Sequence, residues 1–100
     1  MTKMTLNEFK LSLSQTSPPQ GLSPLLQALW YEAKGDWGTA HQLAQDVSSP
    51  QGAWVHGYLH LKEGDRSNAS YWYHHANHSM PSSSLEEEWE SIVTQLLQSV

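Results

Sequence analysis

Histidine is the residue type in this sequence whose density and spacing first suggest chemistry. Six histidines occur among 100 residues, and five of them fall between His56 and His78. His56 and His60 lie four residues apart, as do His74 and His78, and this spacing on a helix presents two imidazoles on one face. Imidazole nitrogens bind zinc and transfer protons near neutral pH. One hypothesis is therefore a metal-binding or hydrolytic protein that uses His56, His60 and His74.

The same histidines also have a structural interpretation. His56 and His60 fall where two helices would pack, so that both can be hydrogen-bonded packing residues. If the helices on either side of Gly64-Asp65 are antiparallel, the two histidine pairs lie at unequal distances from that turn, which disfavours one four-histidine site. His75 and His78 would then be surface residues near a helix C-terminus, where the helix dipole favours their charged form. This interpretation, which needs neither a metal nor another cofactor, is the one we favour.

Other catalytic machinery is missing from the sequence. The chain contains no cysteine, which excludes a thiol nucleophile, a disulfide and a zinc site with cysteine ligands. No glycine-rich phosphate loop or nucleophile elbow occurs. The sequence therefore predicts a protein that is not an enzyme.

Charge and hydrophobicity restrict the partners. Five Lys and Arg residues against ten Asp and Glu residues give a net charge of −5, and the cations are scattered singly along the chain. A basic surface for nucleic acid or anionic membranes is therefore not expected. The apolar runs are far shorter than the ~20 residues that span a bilayer, and the N-terminus has no signal pattern. We expect a single soluble, cytoplasmic domain.

Two similar units order the middle of the sequence. Gly35-Asp36 and Gly64-Asp65 lie 29 residues apart, and each pair follows an apolar run and precedes an alanine, Ala40 or Ala69, four residues after the aspartate. Glycine can close a helix in the left-handed conformation, and aspartate can then cap the next helix. Each unit is therefore predicted to be a pair of helices joined by a tight turn.

Capping and breaking residues delimit these helices. Ser23-Pro24 predicts the start of the first, and Ser48-Ser49-Pro50 predicts the end of the second. Met80-Pro81 ends the fourth. The four predicted helices run from Pro24 to about Lys34, from Asp36 to about Val47, from Gln51 or Ala53 to Glu63, and from Asp65 to Asn77 or His78.

Each terminus adds one further helix. Thr5 with Glu8 is a possible capping box for a short N-terminal helix. After Pro81, a box of Ser83 with Glu86 or of Ser84 with Glu87 would start a last helix. Its glutamates would be solvated, and its apolar residues repeat at a period near 3.6, which is typical of a helix with one buried face. That stripe consists of Leu85, Trp89, Ile92, Val93, Leu96, Leu97 and Val100.

Residues 22–81 resemble the tetratricopeptide repeat (TPR) family. The second unit matches the family at Gly57, Gly64-Asp65, Ala69, Tyr73, Ala76 and Pro81. The first unit matches at Ala28, Gly35-Asp36, Ala40 and Pro50, but has Ala44 in place of the aromatic residue and is shorter than the usual repeat of roughly 34 residues. The predicted fold is all-α, with TPR-like antiparallel helical hairpins in one domain. Its parts are an N-terminal helix and a Pro/Ser/Gln loop (1–21), two repeats (22–50 and 51–81) and a capping helix (82–100).

The resemblance implies a binding function. TPR proteins hold peptides or partner helices in a concave groove lined by the first helix of each repeat. By position, the groove residues here would be Leu25, Leu29 and Glu32 in the first repeat, and Trp54, Tyr58, Leu61 and Lys62 in the second. The expected function is a small protein-interaction or scaffold module for a peptide or partner protein.

Two alternatives concern the aromatic residues of this groove. Trp54 and Tyr58 could instead be core residues, covered by the N-terminal segment or by the last helix. An exposed aromatic surface could also pair two copies of the chain in a homodimer, as a structural protein would.

Overall fold

The computed structural model describes residues 4–98, which form six α-helices and no strand. This confirms the predicted all-α class. Val100, assigned to the last apolar stripe, lies outside the described residues. The helices are α1 (Leu6–Ser12), α2 (Pro24–Ala33), α3 (Trp37–Gln45), α4 (Pro50–Lys62), α5 (Arg66–His75) and α6 (Leu85–Gln98). Within residues 4–98, none of these helices combines the length and the apolar character that crossing a membrane requires.

The predicted capping residues begin the helices at both ends of the chain. At α1, the Thr5 hydroxyl accepts a hydrogen bond from the Glu8 backbone N–H, while the Glu8 carboxylate accepts one from the Thr5 N–H. At α6, Ser84 and Glu87 form the reciprocal pair, so that the second of the two predicted boxes is the one present. These bonds satisfy N–H groups that have no partner within the helix.

The two Gly-Asp turns have the predicted geometry. Gly35 and Gly64 have φ angles of 90° and 89°, in the left-handed region that glycine adopts without steric cost. The Asp36 and Asp65 carboxylates then accept backbone N–H bonds from the first turns of α3 and α5. Both turns therefore reverse the chain between helices that pack together.

Three helix boundaries differ from the prediction, and one of them is the end of α3, which lies at Gln45 instead of about Val47. α4 begins at Pro50 because the Ser49 hydroxyl caps it by accepting from the Gly52 N–H, and proline at the first helical position needs no N–H partner. Ser49 and Pro50, predicted from the sequence only as the end of the preceding helix, therefore also begin α4. α5 ends at His75, before the predicted boundary, and Asn77 beyond it has a φ of 60°, which is incompatible with a continuing helix.

Four of the helices pack in two consecutive pairs, and contacts made by α4 and α6 join these pairs. α2 packs against α3 and α4 against α5, while α4 also contacts α2 and α3. α6 lies against α1, α2 and α4. The central helix is α4, in which every residue from Gly52 to Leu61 is buried. The largest fully buried side chains are Trp30, Tyr58, Tyr73, Phe9, Leu29, Leu59, Ile92, Val55 and Val93.

Gly57 allows α5 to approach α4 closely. A Cβ atom at this position would lie 2.8 Å from Cδ2 of Tyr73 and 3.1 Å from Cβ of Trp72. Glycine in a helix interior costs about 1 kcal/mol relative to alanine. The closeness of the two helices offsets that cost, since it lets Tyr73 and Trp72 pack directly on the α4 backbone.

We expect Gly57→Ala to lower the free energy of unfolding by about 1 to 3 kcal/mol, because the added methyl group overpacks the α4–α5 contact. Gly38→Ala is the matched control in α3, where an added Cβ would meet no atom within 4 Å. That change should be neutral or stabilising by up to about 1 kcal/mol. Urea unfolding measures both values, and equal effects of the two substitutions would contradict this account of the contact.

Candidate functional site

The residues that the TPR resemblance assigns to a groove lie on α2 and α4, beneath α6. Lys62 is exposed, but the other residues are buried. Of the two alternatives for Trp54 and Tyr58, the structure therefore has both as core residues and not as an exposed surface. The exposed fractions are 0% for Leu29, 6% for Leu25, 7% for Glu32, 4% for Trp54, 1% for Tyr58 and 8% for Leu61. The cause is α6, which packs across both helices.

The Glu88 carboxylate joins α6 to α4 and α5. Its Oε2 atom accepts hydrogen bonds from Nε1 of Trp54 at 3.0 Å and from the hydroxyl of Tyr73 at 2.7 Å. Burial, reinforced by the bond to Glu88, raises the pKa of Tyr73 far above its usual value. The adjacent Trp89 donates from Nε1 to the carbonyl oxygen of Leu29 at 3.2 Å, which joins α6 to α2 as well.

The expectation that the α6 glutamates are solvated is wrong for Glu88, which is buried. A signal for this exists in the sequence. Glu88 falls three residues after Leu85 and four before Ile92, and therefore lies within the apolar stripe. A carboxylate on a buried face needs hydrogen-bond donors opposite it, and Trp54 and Tyr73 supply them.

We expect Glu88→Ala to destabilise the fold by about 2 to 4 kcal/mol, because two buried donors lose their acceptor. Glu86→Ala removes an exposed carboxylate from the same helical turn and should cost less than about 1 kcal/mol. Thermal and urea unfolding of the two variants measure the difference. If Glu88→Ala were no more harmful than Glu86→Ala, the buried carboxylate would not hold α6 in place.

A cavity of about 630 Å³ remains open beside α6, and Glu32, Tyr58 and Lys62 of the expected groove line it. The ammonium group of Lys62 lies 3.3 Å from Oε2 of Glu32. Lys10 lies 2.7 Å from Oε2 of Glu90 on the opposite wall, and this contact raises the pKa of Lys10. The cavity therefore has two ion pairs at its rim.

Aromatic side chains form the apolar part of that cavity. Trp37, Tyr58 and Trp89 line it together with the small residues Ala33 and Gly35. Burial, followed by the effect of the nearby Glu32 carboxylate, raises the pKa of Tyr58 well above its usual value. Its hydroxyl therefore stays protonated at physiological pH, and the wall presents a neutral aromatic surface.

A histidine cluster lies on the other side of α4. His41 of α3 meets His56 and His60 of α4, and one ring nitrogen from each lies within 4.8 Å of the other two. The Nε2 atoms of His41 and His56 are 2.9 Å apart, which places a hydrogen bond between the two rings. Of the three histidines proposed from the sequence, His56 and His60 are brought together, but His74 is exposed on α5 and belongs to no such group among the described residues.

Tryptophan rings hold the cluster on two sides. Trp37 stacks on His41 with centroids 4.8 Å apart and an interplanar angle of 15°, and Trp72 stacks on His56 at 4.0 Å and 14°. Trp37 is itself fixed, since its Nε1 atom donates to the carbonyl oxygen of Leu59 at 2.8 Å. Both imidazole planes are therefore set by packing.

Burial makes the cluster electrostatically unusual. It lowers the pKa of His56 to about 4, with smaller contributions from neighbouring His41 and His60, and it also lowers the pKa of His41. Nδ1 of His60 lies 2.6 Å from a carboxylate oxygen of Glu63. Because an ionised carboxylate only accepts, this nitrogen donates. His60 is therefore oriented by Glu63, while His41 and His56 are neutral at pH 7.

Reasoning from sequence missed His41 because its partners lie on another helix. A weak signal is the spacing of four between Trp37 and His41 in α3, which puts both rings on one face of the helix. The contact between α3 and α4 then determines which histidines meet.

Comparison of the chain with protein-family models, with curated proteins and with solved structures gives no match. The geometry of the cavity and of the histidine cluster is therefore the basis for assigning a function.

Proposed function

We propose that the chain is a small interaction module that binds a short peptide segment of a partner protein in the cavity beside α6. The observation that carries this proposal is the 630 Å³ cavity itself, where buried aromatic rings lie next to charged rim residues. The consecutive packing of α2 with α3 and of α4 with α5 supports a TPR-like arrangement of two helical hairpins. In this arrangement α6 covers most of the concave face, and the cavity is the part that stays accessible.

The size of the cavity limits what it can hold. Its volume falls in the range of about 300 to 1,000 Å³ that is typical of small-ligand pockets. A few side chains of a peptide fit such a space, whereas a whole partner helix does not. Aromatic residues such as Trp37 and Trp89 are effective anchors, since they bury a large area at a small cost in side-chain entropy.

The charges of the cavity favour a basic segment. Lys10 and Lys62 are each paired with a glutamate, and Glu86 adds a third carboxylate to the lining. The net charge of −5 on the whole chain attracts the same kind of partner at longer range. The proposed ligand is therefore a peptide with an apolar side chain for the aromatic wall and a neighbouring Lys or Arg for Glu86.

The test uses a phage-displayed library of random peptides selected on the full chain. We expect enriched peptides to combine apolar and basic residues, and to bind the wild type in a fluorescence anisotropy assay. Ala33→Trp places a large ring in the cavity from an exposed position and should weaken binding by about tenfold or more, which corresponds to about 1.4 kcal/mol.

Ser70→Trp is the matched control, since it adds the same ring at an exposed position of α5 that does not line the cavity. It should bind the selected peptides as the wild type does. A second pair, Glu86→Gln and Asp46→Asn, removes one exposed carboxylate inside and outside the cavity respectively. Failure to enrich any peptide, or equal binding by Ala33→Trp and the wild type, would refute the proposed function.

A further inference from the structure

The three histidines of the cluster do not line the binding cavity, although Trp37, which stacks on His41, does. We propose that His41, His56 and His60 form a site for one divalent transition-metal ion of the zinc class, bound through one ring nitrogen of each imidazole. This inference is independent of the proposed peptide-binding function.

The distances suit such an ion. Zinc binds histidine nitrogen at about 2.0 to 2.1 Å in tetrahedral geometry, which separates two ligand nitrogens by roughly 3.3 Å. The His41 and His56 nitrogens are 2.9 Å apart, and all three ligand atoms lie within 4.8 Å of one another. Rotation of the rings would bring the three nitrogens from these separations to coordination distance.

The groups around the cluster resemble those that orient the metal-binding histidines in known metal sites. A ligating histidine usually donates its other N–H to a carboxylate or carbonyl group, which fixes the tautomer and the ring orientation. The bond between Nδ1 of His60 and Glu63 has this form, and Nε2 of His60 is then the nitrogen that would bind the ion. Stacking on Trp37 and Trp72 fixes the other two rings, so that little side-chain entropy is lost when an ion binds.

An ion would replace a hydrogen bond within the cluster. The Nε2 atoms of His41 and His56 face each other in that bond, so that one of them carries a proton and the other a lone pair. For both Nε2 atoms to bind the ion, the donor ring has to carry its proton on Nδ1 instead. A structural role for that bond would also account for two histidines, but the bond by itself does not bring a nitrogen of His60 within 4.8 Å of both.

The donor set determines the class of ion. Three imidazole nitrogens suit Zn²⁺, Co²⁺, Ni²⁺ and Cu²⁺, whereas Mg²⁺ and Ca²⁺ prefer oxygen ligands. Three protein ligands leave the fourth tetrahedral position for water. The half-buried position of His41 at the edge of the cluster gives the ion a route of entry from solvent.

The test is a calorimetric titration of the chelator-treated full chain with Zn²⁺. We expect saturable binding of one ion per chain, and no binding of Mg²⁺. His41→Gln removes one ligand and should weaken the affinity by roughly 100-fold or more, while Glu63→Gln, which changes only the outer shell, should weaken it about tenfold.

The matched control is His74→Gln, which removes an exposed histidine that lies outside the cluster and should leave the zinc affinity unchanged. Ala33→Trp should also bind zinc as the wild type does, even if the peptide cavity is blocked. Zinc binding that survives in His41→Gln, or that is lost in His74→Gln, would overturn the proposed site.

A measurement on the wild type decides the question even if His41→Gln fails to fold. Nitrogen-15 resonances of the histidine rings should shift on addition of Zn²⁺ for His41, His56 and His60, and stay in place for His74 and His75. The absence of any shift at the first three residues, or a shift confined to the exposed histidines, would contradict the proposal.

Discussion

A buried carboxylate of α6 helps to set the position of this helix. That position determines which residues of α2 and α4 are covered. Glu88 is buried against α4 and α5, where an ionised carboxylate is costly unless it is fully hydrogen-bonded. The Trp54 indole and the Tyr73 hydroxyl supply the two donors. These two bonds join α6 to α4 and α5 in a position in which Trp54 and Tyr58 are buried.

The central helix α4 separates two surfaces with different chemistry. Residues two positions apart lie about 200° apart around a helix axis, so Trp54 and His56 face opposite sides. One side carries the covered aromatic residues, of which Tyr58 also lines the cavity beside α6. The other side carries His56 and His60, which meet His41 of α3. The cavity and the three histidines therefore lie on different sides of α4, and Trp37 contacts both.

Local sequence signals were sufficient for the helices but insufficient for the contacts between them. The capping residues Ser23, Asp36 and Asp65 and the left-handed glycines act within a few residues of themselves, so their effects could be predicted. The partners of Glu88 and the addition of His41 to the histidine cluster depend on how distant helices meet. The periodicity within one helix does not show which other helix covers it. For this reason the sequence left open whether the expected groove residues are buried or exposed.

The most direct test of whether α6 covers α2 and α4 is hydrogen exchange of the indole N–H protons of Trp54 and Trp89, followed by NMR. Both donate to buried acceptors, Glu88 and the Leu29 carbonyl oxygen. We predict that both exchange as slowly as the backbone amides of α4, because we expect α6 to leave only when the whole domain unfolds. Rapid exchange of the two indoles beside protected α4 amides would show that α6 does not cover this face.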